Sequence, residues 1–176
     1  MRAINRISKV ILRADGNRNL GFGHMYRMLA LAEMITCEFE VEFVVRTDTS
    51  SDMLPSHFKI HEVPASITGD EEAKWLAKQF SSADYIIVLD GYGFDTDYTE
   101  VLHNHGFNTL YIDDFGRASV KSNHLLNTAL GLNPAIFIQN SHMALHLGPR
   151  YALLRKEFLT NNTNEPGNTT VFISFG

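Results

Sequence analysis

Apolar and polar positions along this chain repeat with two distinct periods, and the switching between them marks out the elements. Val10-Ile11-Leu12 is a short apolar run with a β-branched pair, the pattern of a buried strand, and a glycine-rich turn from Gly16 to Gly23 follows it. Met25, Met28, Leu29 and Ala32 then recur at helical spacing, which predicts a helix beginning near His24. Residues 40–46 alternate and then run apolar as a second strand, and residues 58–63 alternate as a third, closed by Pro64 and with His61 on its wet face. Ala73, Leu76, Ala77 and Phe80 form the stripe of a helix over 70–80. Asp70, Glu71 and Glu72 sit at its positive end, and Trp75 lies at the edge of the stripe. Tyr85 to Asp90 is a continuous apolar run ending in a carboxylate, and such runs are buried on both faces in parallel sheets. Asp95 caps a helix carrying Val101 and Leu102, and Gly106 ends it. Residues 108–114 repeat the strand that finishes in carboxylates, and 124–127 is a further short strand. Residues 135–138 show no assignable period.

Strands alternating with helical stripes predict an α/β protein, a Rossmann-like parallel sheet with flanking helices. In such a sheet the residues just past the carboxyl ends of strands face the ligand crevice. Asp90, Tyr92, Asp113 and Asn127 are therefore site candidates by position.

The turn before the first helix carries the strongest chemical signal. Gly21 and Gly23 let backbone approach a ligand closely, and the N–H groups of a first helical turn attract anions. His24 at that junction is the catalytic candidate. A helix N-terminus disfavours the imidazolium, so the ring is expected to be neutral near pH 7 and able to accept a proton. Asp15, Asp90 or Asp113 could orient the ring or sugar hydroxyls, and Arg13 and Arg27 are candidates to steer an anion. The dinucleotide fingerprint is not met, because Tyr26 stands where its third glycine belongs. No Walker loop and no Gly-x-Ser-x-Gly elbow occurs.

Metal signals are weak. His103 and His105 are two apart and diverge on a helix, whereas His142 and His146 at four apart could share a helical face, but no third ligand accompanies either pair. Asp95-Thr96-Asp97 falls where a helix needs an acidic N-terminus. No metal and no cofactor is expected.

Composition narrows the class further. A length of 176 residues supports one substantial core, and a net charge of -5 with scattered Lys and Arg argues against a nucleic-acid surface. Cys37 is alone, and its neighbours Ile35 and Phe39 suggest a buried structural thiol. No apolar run approaches the roughly twenty residues of a membrane span. No signal-peptide core is present either, so a cytoplasmic location is expected. Residues 160–169 are polar with Pro and Gly and read as a linker, and residues 170–176 read as a fresh strand. The expected organisation is an N-terminal domain over 1–159, the linker, and the first strand of a truncated C-terminal nucleotide-binding domain.

Several of these segments, taken in order, resemble one family. They are Arg13-x-Asp15, Gly21-Phe22-Gly23-His24-x-x-Arg27, Asp90-x-Tyr92, Ile112-Asp113-Asp114, Leu126-Asn127 and Tyr151-Ala152-Leu153-Leu154-Arg155-x-Glu157-Phe158. The chain is similar to the UDP-2,4-diacetamido-2,4,6-trideoxy-β-L-altropyranose hydrolases of pseudaminic acid synthesis and their spore-coat polysaccharide relatives. That resemblance implies the N-terminal half of a bacterial GT-B type architecture, two Rossmann-like domains with UDP held mainly by the second. It further implies a metal-independent hydrolase in which the residue matching His24 activates water to release UDP, and in which Tyr92 lines the sugar pocket. Gly91 departs from the pattern, since many members carry a histidine there. Two other functions stay open on these residues: a GT-B glycosyltransferase in which His24 activates an acceptor hydroxyl, and a non-catalytic sugar-binding domain.

Overall fold

The computed structural model describes residues 9–116, 119–137 and 142–159; the linker and final strand expected over 160–176 lie outside them. Seven strands and three helices follow the chain as β1 Lys9–Ala14, α1 Gly23–Ile35, β2 Glu40–Arg46, β3 Lys59–Val63, α2 Asp70–Gln79, β4 Tyr85–Asp90, α3 Thr96–Asn104, β5 Asn108–Ile112, β6 His124–Asn127 and β7 Ala144–Leu147. All strand pairs are parallel, in the order β3-β2-β1-β4-β5-β6-β7. The chain leaves β1 toward one edge and returns through β4 toward the other. The crevice above the carboxyl ends of β1 and β4 is thus the switch point where α/β sheets place ligands.

Period-two alternation divides the core between the two faces of the sheet. Ile11, Val44, Ile87, Leu89 and Tyr111 pack against Leu76 of α2 and Tyr98 and Leu102 of α3. Val10, Leu12, Phe43 and Val88 pack on the other face against Met25, Met28 and Ala32 of α1. Burying the two methionines fixes the rotation of α1, and the neighbouring positions His24 and Arg27 are left over the end of β4. Trp75 packs at the edge of the first core, as its place beside the stripe of α2 implies.

Three expectations need correction. Cys37 is exposed rather than buried, because it falls in the turn after α1, where Ile35 and Phe39 take the inward positions. His146 lies on β7, a strand the pattern did not reveal, so helical spacing to His142 does not apply; its ring stacks instead on His124 of β6. His61 is only part-exposed and holds the buried carboxylate of Glu42. Among the described residues, no helix is long and apolar enough to cross a membrane.

Candidate functional site

The loop from β1 to α1 is built by short-range bonds. Asn17 Oδ1 accepts from the N–H groups of Asn19 and Leu20, and Gly21 N–H closes the turn on the Asn17 carbonyl at 2.8 Å. Gly21 adopts φ +80, which L side chains rarely take, and this turn delivers Gly23 to the first position of α1. Neither a capping side chain nor an acidic residue occupies the first turn of that helix.

Asp90 ends β4 with the alternation parity of Ile86 and Val88, so its carboxylate faces α1, fully buried. His24 Nδ1 lies 2.8 Å from Asp90 Oδ1, and Arg27 donates from Nε to Oδ2 at 2.7 Å and from Nη2 to Oδ1 at 2.5 Å. A carboxylate only accepts, so Nδ1 carries a proton, and in the neutral tautomer this selects the lone pair is on Nε2. Among the described residues nothing bonds Nε2, and the ring, 12% exposed, lines two adjoining hollows of about 280 and 230 Å³. Tyr92 sets its ring edge-on to His24, with centroids 4.7 Å apart, and limits the ring's tilt.

Arg27 also donates to both oxygens of Asp114, at 2.7 and 2.9 Å. Burial opposes the charge on Arg27, but its bonds to Asp90 and Asp114 outweigh that and raise its pKa. The bond from Arg27 holds the Asp114 carboxyl below its usual range. His24, Asp90 and Asp114 bring possible metal-ligating atoms within 4.8 Å of one another, yet both carboxylates already point their lone pairs at the guanidinium of Arg27. Arg27 is therefore a clamp on the site rather than a cation waiting for a ligand.

Beneath the larger hollow lies a second buried network. Arg13, only 1% exposed, donates from Nε and Nη2 to Glu72 at 2.7 and 3.1 Å. Its Nη1 approaches Asp15 Oδ1 at 2.7 Å, and Tyr98 donates to Glu72 at 2.8 Å. Desolvation opposes the charge on Arg13 and is overcome by Glu72, so its pKa rises. Asp15 feels the same penalty but is held low by Arg13, the Arg46 N–H and the Thr49 hydroxyl. All of Arg13, Asp15, Arg46, Glu72 and Tyr98 line the 280 Å³ hollow alongside His24, Asp90 and Tyr92.

The structure thus brings His24, Arg27, Asp90, Tyr92, Gly21 and Gly23 to one turn-and-rim, with Arg13 and Asp15 in the floor beside them. Asp113 and Asn127 lie elsewhere. Asn127 donates to Asp113 at 3.0 Å, and Asp113 also receives the N–H groups of Phe115 and Gly116, so this pair builds the loop after β5. It is absent from the described lining of both hollows. Asp114, the next residue of that loop, is the one that reaches the smaller hollow, where Arg27 bonds it. Glu72, Arg46, Tyr98 and Asp114 are not among the site candidates that the sequence offers. The carboxylates that finish the β5 run pointed to Asp114 as much as to Asp113, but the pairing of Glu72 with Arg13 is a tertiary fact. Gly91 has φ +152, and a Cβ there would lie 3.2 Å from the Phe94 ring, so this position favours glycine.

A seven-stranded parallel sheet flanked by helices, with charged residues at its switch point, defines an α/β protein of Rossmann-like fold. In sequence, the chain is 22% identical over 180 residues to the protein MJ1062 of Methanocaldococcus jannaschii, described there as uncharacterized. The match covers 96% of this chain and 36% of that protein. In structure, it superposes on the crystal structure of MurG from Acinetobacter baumannii with a TM-score of 0.52 at 13% identity, covering 72% of this chain and 43% of MurG. The chain therefore spans little more than a third of the curated relative and less than half of the solved one. No protein-family model matches it.

Proposed function

We propose that this chain carries the sugar side of an enzyme acting on a nucleotide sugar, with His24 as the general base that activates a hydroxyl nucleophile. The observation that carries this reading is the Asp90–His24–Arg27 constellation at the switch point of the sheet. Asp90 fixes the tautomer and direction of the imidazole, and the lone pair of Nε2 is left for the hollow. In the reaction, Nε2 takes the proton from the nucleophile's O–H while the oxygen attacks the anomeric carbon. The bond from that carbon to the phosphate oxygen breaks, and its electron pair leaves with the nucleoside diphosphate, which needs no proton. The imidazolium so formed faces two carboxylates, Asp90 and Asp114, against the single charge of Arg27. The 280 Å³ hollow combines carboxylates, guanidinium groups and aromatic rings, the mixture that recognises a polar ring with apolar faces.

With water as nucleophile the enzyme is a UDP-sugar hydrolase acting on a diacetamido-trideoxyhexose, as the resemblance of the Gly21–Arg27 and Tyr151–Phe158 segments suggests. The second reading, a GT-B glycosyltransferase using an acceptor hydroxyl, draws support from the fold shared with MurG. A second, nucleotide-holding domain belongs to either reading.

UDP release by the complete protein, followed with and without candidate acceptors, separates the two. Turnover in water alone supports hydrolysis, and turnover only with an acceptor supports transfer. In both cases His24→Ala lowers kcat by about 10²–10⁴; a variant as fast as the parent removes the base from the mechanism.

A further inference from the structure

The two hollows at His24 continue into a third of about 230 Å³. Leu20, His24 and Tyr92 belong to both of the first two, while Gly23 and Arg27 belong to the second and third. The far wall of this trough is the Leu153–Phe158 segment, and within it Arg155 lies between two rings. Its guanidinium carbon is 5.3 Å from the centroid of Tyr26 on α1 and 5.2 Å from that of Phe158. Stacking of this kind holds the guanidinium plane while leaving its edge of N–H donors for another group.

Charge accounting sets Arg155 apart. Four arginines line the described parts of the trough. Arg13 is committed to Glu72, and Arg27 to Asp90 and Asp114. Arg46 is held by the Ile67 carbonyl and Glu72. Among the described residues, no carboxylate pairs with Arg155. A cation fixed by neighbours in a hollow next to a general base, with its charge unspent, is complementary to an oxyanion.

We infer that Arg155 is the docking group for the phosphate oxygens of the leaving nucleoside diphosphate. This rests on the nucleotide-sugar reading above and adds a direction to it. The sugar lies in the first hollow with its anomeric carbon beside His24, and the diphosphate passes Gly23, where nothing would lie within 4 Å of a Cβ, toward the guanidinium fork. Arg155 forms and breaks no covalent bond; it binds and aligns the leaving group.

Inorganic pyrophosphate, titrated against this chain by NMR, tests the site without any sugar chemistry. Arg155→Gln weakens binding by about tenfold, Arg155→Lys by less, and Phe158→Leu, which keeps the charge but loses one stacking ring, by about threefold. Arg18→Gln, an exposed arginine on the β1–α1 loop, serves as the control for general charge. Unchanged affinity in Arg155→Gln overturns the inference, as does an equal loss in Arg18→Gln. Should Arg155→Gln melt early, Phe158→Leu decides, and parental affinity in that variant overturns it. Failure of the complete protein to release UDP would sink the enzymatic reading while leaving pyrophosphate binding standing. Parental turnover and KM in Arg155→Gln would do the reverse.

Discussion

Asp90 serves two donors at once, and that fixes what it can tolerate. Its Oδ1 takes bonds from His24 and Arg27, and its Oδ2 from Arg27 Nε. An amide in its place must turn its NH₂ toward one of these donors, so either the clamp or the tautomer of His24 is lost. On the proposed reading, Asp90→Asn therefore lowers kcat by about 10²–10⁴ with KM within a few-fold of the parent, measured by steady-state UDP release from the complete protein. A loss confined to KM would make Asp90 a substrate ligand instead. At this scale the sequence disclosed His24 and Asp90 through their places at a helix start and a strand end. It disclosed less about partners. Arg27 looked like an anion-steering group, but two carboxylates from β4 and the loop after β5 occupy it. Residue type and spacing cannot show which charges cancel one another across 63 or 87 positions of chain.

Elements with a strong period were legible almost to their boundaries. The run from Tyr85 to Asp90 is β4 as read, and the stripe at 73, 76, 77 and 80 is α2 within one residue of its observed end. Asp95 caps α3 by accepting from the Tyr98 N–H at 3.0 Å. β7 escaped because four residues at a sheet edge, none of them buried, are too few to establish a period. Three acidic residues in the first turn of α2 complement the helix dipole, and Asp70 stays outside, paired with Lys74. Glu72 turns inward and ties α2 to β1 through Arg13. Glu72→Gln leaves Asp15, among the described residues, as the one carboxylate beside the buried Arg13 guanidinium and is expected to cost about 2 kcal/mol in urea denaturation, because a charged hydrogen-bond acceptor in a buried network is lost. A surface salt bridge in the same helix, such as Asp70–Lys74, would change the midpoint far less.

Across the whole molecule, depressed carboxyls set the pH range of stability. Burial works against Asp15 and Glu42, yet bonds from Arg13 to the first and from His61, Tyr85 and Lys59 to the second hold their pKa values below 3.8 and 4.5 respectively. Asp114 is held below 3.8 chiefly by Arg27. A group depressed in the fold stabilises it above the unfolded pKa and loses that contribution as pH falls through the folded value. Urea midpoints should thus be level above about pH 5.5 with respect to these groups and decline steadily below about pH 4.5. A midpoint that holds constant down to pH 3 would show that these pairings contribute nothing. The parallel sheet and the α/β class were legible because apolar runs and helical stripes alternate. Strand ends pointed to the candidate site at Asp90 but equally to Asp113 and Asn127, which pair with each other instead.

The bond between His24 and Asp90 spans 66 positions, and those from Arg27 to Asp114 span 87. A chain that has paired only its first three strands holds an imidazole with no orienting acid. The pairing of His24 with its acid accordingly depends on β4 lying beside β1. On the proposed reading, a molecule in which that long-range closure is open has no oriented base, however much of its helix content it keeps.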